Sequence, residues 1–273
     1  MINILFCGND GVFDGLLTCA LSIMKRTSSK EPFNFHVFTM SLTRINEKYV
    51  PVSEAKARAF QEIIQTYNPE NILTVHDVTD LYEKELARCP NETAYCSPDT
   101  LIRLLADLVG MPDKFLYLDA DILFQKDVHL LYDMDISAYE YAAGRDHYGK
   151  YLIHPNYINA GVLLFNMKKC LETSLFEKSR DWLRKKKLVF ADQSALIRST
   201  TKRKVLPQKY NDQKFLHKHT VVRHFSKRLF WLPYPHTDNI KQWHVDKVHK
   251  VFRYHQFDDI LDEYLSLKSK FEM

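Results

Sequence analysis

Glycine and proline are scarce in this 273-residue chain, with 7 and 10 copies. That excludes collagen-like repeats and long flexible linkers. No stretch of about 20 consecutive apolar residues occurs, so no segment reads as a bilayer-spanning helix. The cysteines Cys7, Cys19, Cys89, Cys96 and Cys170 are odd in number and form no C-x-x-C pair. Neither a disulfide framework nor a zinc cluster is therefore indicated. No G-x-G-x-x-G follows the first apolar run, which argues against a dinucleotide-binding dehydrogenase. Fixed-period repeats and low-complexity tracts are also missing. The opening apolar run is too short for a signal peptide and lacks a basic start, so the expected location is the cytoplasm.

What is there describes a globule with a real core: 45% of residues are hydrophobic and 26% charged. The net charge is only +4, but its distribution is uneven. Between Lys168 and Lys250 basic residues outnumber acidic ones three to one. Such a stripe suits a diphosphate sugar, nucleic acid or an anionic membrane face, or is a solvated basic surface.

Along the chain, Ile2 to Cys7 reads as a buried strand closed by the tight loop Gly8-Asn9-Asp10-Gly11. Phe13 to Met24 carries helix-spaced apolar residues, and Phe33 to Met40 reads as a second strand. Ser53 to Tyr67 is an expected helix with Ser53 as its cap. Ile72 to Val75 is a third strand. Asp99 to Val109 is a helix ended by Gly110, and Phe115 to Leu118 is a strand running into Asp119. This alternation predicts an α/β fold built on a parallel sheet, with ligands beyond the carboxyl ends of the strands. In the second half, strands are expected at Tyr139 to Gly144, Gly161 to Phe165 and Thr220 to Phe225. Helices are expected at Lys168 to Lys187, Asp192 to Ser199 and Gln256 to Phe271. No domain boundary is evident. One domain is expected over residues 1–273, with the part after about residue 200 wrapping the first half.

Four constellations carry chemistry. In Phe115-Leu-Tyr-Leu-Asp119-Ala120-Asp121, residues two apart point the same way when extended, so two carboxylates converge on one hard cation. That cation would also take phosphate oxygens and stabilise a departing diphosphate. The plainer alternative is a strand ending in an acidic turn. In Asn159-Ala160-Gly161, small residues admit a ligand close to the backbone and Asn159 offers a donor and an acceptor to hydroxyls, or the three form a turn entering a strand. Asp192-Gln193 pairs a carboxylate with an amide near a helix start, where they grip a sugar hydroxyl and face its anomeric carbon, or Asp192 caps the helix. His224 at a strand end would add a nitrogen ligand, favouring manganese over magnesium, or is a structural histidine.

These elements, in this order, resemble glycosyltransferase family 8, which includes lipopolysaccharide galactosyl- and glucosyltransferases and glycogenin. The resemblance is carried by Leu5-Phe-Cys-Gly-Asn-Asp10, Arg103-Leu-Leu, Lys114 to Asp121, Asn159 to Asn166, Asp192-Gln193 and His224-Phe225, and runs from Ile2 to about Trp243. It implies a GT-A fold with a Rossmann-like mixed sheet and helices on both faces. It also implies a UDP-sugar donor (UDP-galactose or UDP-glucose), a glycan or glycolipid acceptor, and retention at the anomeric carbon. By motif, Asp119, Asp121 and His224 would hold Mn2+, with Mg2+ as the alternative. Phe6, Cys7 and Asn9 would lie along the uridine. Arg103, Asp119 and Asn159, with Ala160 and Gly161, would meet the sugar. Asp192 would bind its hydroxyls and Gln193 would sit beneath the anomeric carbon. An amide is a poor nucleophile, so retention would proceed either through it or on one face of the sugar.

The chain departs from the family at Asn9, where an acid is common. It also departs after His224, where the family's lysine is matched by either Lys227 or Lys241. Phe230 to His236 would then be an insertion near the acceptor. The competing expectations are a nucleotidyltransferase, which would need a richer glycine loop than Gly8 to Gly11, and a catalytically inactive sugar-nucleotide-binding or scaffold protein. Nucleic acid is not an expected partner, whereas a peripheral contact with the inner membrane face is.

Overall fold

The computed structural model describes residues 1–93 and 98–269. Cys96 and the last residues of the expected terminal helix lie outside them. The strands are β1 (Ile2–Cys7), β2 (Phe33–Thr39), β3 (Ile72–Asp77), β4 (Lys114–Leu118), β5 (Ile122–Phe124), β6 (Tyr141–Arg145), β7 (Ile158–Asn166), β8 (Arg203–Leu206), β9 (Val222–His224), β10 (Arg228–Phe230) and β11 (His236–Asp238). Seven of them form one sheet in the order β3-β2-β1-β4-β7-β6-β8. The four strands from the first half run parallel. β7 is antiparallel to both β4 and β6, and β8 is parallel to β6. The sheet is therefore mixed, as the resemblance implies, and the parallel order expected from the alternation of the first half holds for β1 to β4. A continuous apolar run does not reveal strand direction, because both faces are buried either way.

Strand alternation divides the core in two. Ile2, Ile4 and Phe6 face one layer, with helix α1 (Phe13–Arg26) and helix α2 (Glu54–Tyr67). Leu5 and Cys7 face the other, with residues 101–106 and the helices Leu175–Lys185 and Ala191–Ser199. Most of α1 is buried because it lies between the sheet and the C-terminal helix Asp258–Lys268. Ion pairs Lys25–Glu263 (2.6 Å) and Arg26–Asp259 (2.7 Å) join these two helices at the surface. Ser53 caps α2 through Lys56 N, as its position predicts.

Two expected helices are broken. The segment 98–109 is a run of 3-10 turns followed by the short helix Ala106–Val109, closed by Gly110 at φ +77°. The expected Lys168–Lys187 helix is two, Met167–Glu172 and Leu175–Lys185, parted at Ser174 with φ +54°. Four short elements carry too few residues to show a period: β5, Thr79–Glu85, His129–Tyr132 and Gly149–Leu152.

The sheet topology places the chemistry. β1 and β4 are parallel, with Phe6 opposite Leu118, so residues 8–11 and 119–121 leave the sheet at one edge. β7 enters antiparallel at that edge, where Asp119 N donates to Gly161 O at 2.8 Å. β9 lies against β5, with His224 opposite Ile122. Three segments far apart in sequence thus end side by side.

Candidate functional site

Asp119, Asp121 and His224 form one cluster, each offering a ligand atom within 4.8 Å of the others. His224 Nε2 lies 3.0 Å from Asp121 Oδ1 and 3.8 Å from Asp119 Oδ2. A hydrogen-bonded chain sets the tautomer of this ring. Asn159 Nδ2 donates to Asp146 Oδ2 (3.0 Å), and Asn159 Oδ1 accepts from Asn211 Nδ2 (2.9 Å). Asn211 Oδ1 therefore faces His224 Nδ1 at 3.0 Å. Asp146 as a carboxylate only accepts, so polarity propagates along the chain and Nδ1 carries the ring proton. In the neutral ring, Nε2 then turns a lone pair toward the carboxylates. Asp121 Oδ1, buried, finds no hydrogen-bond donor among the described residues. Two electron-rich atoms at contact distance, with a third carboxylate oxygen beside them, fit a divalent cation. An imidazole whose other nitrogen is hydrogen-bonded is the usual form of a metal-ligating histidine.

Gly161 makes this closeness sterically feasible. A Cβ there would stand 2.4 Å from His224 Cε1 and 2.8 Å from Asp119 Oδ2. The small residue read from the sequence as admitting a ligand also admits the His224 ring.

Asp119 is held from behind. Tyr117 Oη donates to its Oδ1 at 2.5 Å and Arg103 Nη2 at 3.1 Å. Arg103 is buried, with its guanidinium 4.0 Å from the Tyr117 ring centre. It also donates to Ala160 O (2.5 Å) and Thr100 O (2.8 Å) and lies 3.3 Å from Asp192. Arg103 therefore ties four segments together and shares one positive charge between two acids. Burial is the largest influence on Asp192 and pushes its carboxyl above the ordinary range; Arg103 opposes this and Asp119 adds to it. Asp192 lies inside the helix Ala191–Ser199, where Phe190 is the cap, so the capping alternative is set aside.

Gln193 Oε1 accepts from Ala160 N at 3.0 Å, and its amide nitrogen is buried on the side of Tyr157. That cavity, about 860 Å³, is lined at its inner end by Arg103, Asp119, Asp121, Asp192, Gln193 and His224. At its mouth it is lined by His147, Tyr148, Lys214, Lys227, Arg228 and Leu229. A smaller groove of about 420 Å³ lies across the Asp119–Asp121 turn, lined by Cys7, Asn9, Tyr49, Asp99 and Trp243.

Both lysine candidates line the large cavity, but only Lys241 reaches the acidic turn: its Nζ donates to Asp121 Oδ2 and, at 3.2 Å, to Phe225 O. Burial pushes the Asp121 carboxyl up, but Lys241 holds it well below the ordinary range. The next residue, Gln242, donates to Ala120 O (2.7 Å) and Thr18 Oγ1 (3.0 Å), fastening the same turn to α1.

The side chain of one expected uridine neighbour lies away from the grooves. Phe6 is fully buried, its ring stacked on Phe35 on the α1 side of the sheet, so its side chain faces away from both grooves. Alternation on β1 puts Phe6 and Cys7 on opposite faces, and only Cys7 reaches the small groove. Asn9 gives its Nδ2 to Asp99 at 2.7 Å and takes Gly11 N at 2.9 Å, so Asp99 brings a carboxylate beside it. Sequence reasoning missed Tyr117, Asp146, Asp99, Asn211 and Gln242. Asn211 stands in the polar run Tyr210-Asn211-Asp212-Gln213 and Gln242 beside Lys241, which are weak signals.

Residues 3–228 match the family described as glycosyl transferase family 8. A protein of Haemophilus influenzae to which glycosyltransferase activity is ascribed is 27% identical over 195 residues, covering 67% of this chain but 54% of that protein. The chain thus spans about half the length of that curated relative. Among solved structures, the galactosyltransferase LgtC, in complex with donor and acceptor sugar analogues, aligns with a TM-score of 0.70 at 21% identity, covering 96% of each chain. The bifunctional glycosyltransferase WbbM aligns at 0.73 and 17% identity, over 98% of this chain and 51% of that one. These likenesses establish the fold. The family match ends at Arg228, the first residue of β10, and so before the rest of the β10–β11 hairpin and Lys241.

Proposed function

The chain belongs to glycosyltransferase family 8, and on that premise we propose that it moves a hexose from a UDP-sugar to a glycan or glycolipid acceptor with retention at the anomeric carbon. The observation that carries the proposal is the convergence of Asp119, Asp121 and the Nδ1-protonated His224 at the inner end of a cavity large enough for a glycosyl donor. We read residues 1–273 as one unit, with the part after about residue 200 wrapping the nucleotide half. The contacts of Gln242 with Thr18 and of α1 with Asp258–Lys268 support that reading. The four described cysteines are free thiols, which suits the cytoplasm.

In this reading Asp119, Asp121 and His224 hold Mn2+, or Mg2+ less well because imidazole favours later ions. The bound ion supplies Lewis-acid stabilisation of charge on the leaving diphosphate. Lys241 adds an ammonium at the same corner, where the second phosphate needs more positive charge than one ion provides. Cys7 and Asn9, with Asp99, border the groove for the base and ribose. Arg103 and Asp192 fix the floor under the sugar, and Asn159, Ala160 and Gly161 form its edge.

The Gln193 amide oxygen is committed to Ala160 N–H, and an amide is a poor nucleophile. We therefore read retention as departure and attack on one face of the sugar, with the leaving diphosphate accepting the acceptor's proton.

The test is direct. The protein is incubated with Mn2+ and a panel of UDP-sugars, and UDP release is measured with and without chelator. Release from one donor names the sugar, and an α-linked product by NMR is expected from an α-linked donor. Full release in excess chelator would remove the metal assignment, and a β-linked product would remove retention.

A further inference from the structure

Outside the cavity, the largest exposed apolar side chains gather on two segments. The β10–β11 hairpin carries Trp231, Leu232 and Tyr234 at its tip, and the helix Gly149–Leu152 with Ile153 carries Tyr151 and Leu152. Leu232 is 83% exposed and Leu152 81%, so neither contributes to the core. Both segments rise from the wall of one cavity. His147 and Tyr148 lead into the helix and line the mouth, as do Arg228, Leu229 and Thr237 of the hairpin. A hydrogen bond from Leu229 N to Tyr148 Oη, 3.3 Å, joins the two bases.

The chemistry around the tips identifies what they meet. Lys150 stands over the Tyr151 ring at 4.9 Å, and Arg228 lies 5.1 Å from the ring of Phe215, itself exposed. Lys214 and Lys227 line the same mouth. Exposed aromatic and leucine side chains ringed by lysine and arginine match an anionic lipid surface: apolar tips enter the acyl boundary while cations meet the headgroups. The tip rings do not line the cavity, so they are not placed to stack on a sugar within it.

We propose that these two segments dock the protein on an anionic phospholipid bilayer, with the mouth of the cavity turned toward it. A membrane-borne acceptor would then reach the mouth without leaving its leaflet. The docking is independent of the transfer reading and is measured without any sugar.

The experiment is flotation with mixed phosphatidylglycerol–phosphatidylcholine vesicles and with phosphatidylcholine alone. The native chain should float with the anionic vesicles, stay behind with the neutral ones, and detach as salt is raised. Leu152→Asp and Leu232→Asp, alone and combined, should each weaken the bound fraction by about tenfold, because each removes one buried apolar anchor and adds a repelled charge. At these exposures the fold should be unaffected, and UDP release in solution serves as the control. Three results would overturn the proposal: no flotation of the native chain, flotation untouched by both substitutions, or a dimer in solution that the substitutions dissociate. Loss of UDP release with flotation intact would count against the transfer reading and leave the docking standing.

Discussion

At the inner end of the cavity, Asp119 is held by Tyr117 and Arg103, His224 by Asn211, and Gln193 by Ala160 N–H. At the mouth, the hairpin is tied to the neighbouring helix by Tyr148, and Trp231, Leu232 and Tyr234 stand exposed. The inner groups are buried or half-buried, and the partners they do have fix their orientation. The outer groups face water or a surface and need only be on the correct side. If this contrast is right, substitutions inside should change turnover steeply, and substitutions at the mouth should change who is met rather than how fast the donor is cleaved.

The largest effect is expected from Asp121→Asn. It removes a carboxylate ligand and should lower UDP release by several kcal/mol of transition-state stabilisation, on the order of 10³ or more in rate. Circular dichroism should show an intact fold. Appreciable turnover in this variant would break the contrast at its centre.

Lys241→Ala should cost about 10² to 10³ in turnover, as for loss of one preorganised charge-stabilising donor, whereas Lys227→Ala should cost little. Steady-state kinetics on the two variants decides between the lysines. Equal small losses would show that neither meets the diphosphate.

Gly161→Ala should drive its new methyl into His224 Cε1 and Asp119 Oδ2. A displacement of the metal site by about an ångström should cost roughly 10² in activity. Next comes Asn211→Ala, which frees the His224 tautomer; metal affinity, read by calorimetry, should fall about 10- to 100-fold, with Mn2+ in excess restoring much of the turnover. Rescue by metal distinguishes this orienting role from a general structural one.

The smallest effect is expected from Tyr148→Phe. Losing its hydrogen bond to the hairpin, about 0.5 to 1.5 kcal/mol net, should alter acceptor KM by several-fold and leave UDP release without acceptor unchanged. A large loss of donor cleavage would mean that the mouth is coupled to the inner end, and the contrast would need redrawing.

Much of this was legible from residue order. Asp119 and Asp121 after an apolar strand, glycine at residue 161 entering another, and Asp192-Gln193 at a helix start each have a local reason, because extended backbone and helix starts impose their own spacing. The fold of the first half was legible for the same reason. Less legible were Phe6, whose face depends on the register of β1, and the antiparallel insertion of β7, since a strand buried on both faces has no directional pattern. The partners that hold the site were not legible. Asn211 reaches His224 only because Asp212 pairs beside β9, and Gln242 reaches Ala120 only because residues 241–243 return across α1.

The sequence by itself therefore determined the chemistry: which groups can carry negative charge, ligate a cation or offer an amide, and which runs must be buried. Those properties belong to single residues and their immediate neighbours. Tertiary structure alone decided which of them meet. It brought His224 to two carboxylates about a hundred residues away, chose Lys241 over Lys227 for the acidic turn, committed the Gln193 amide oxygen to Ala160 N–H and set the apolar tips beside the basic mouth. Such juxtapositions come from chain segments that are neighbours only once the core has packed, and contact between distant segments is recorded in no local pattern.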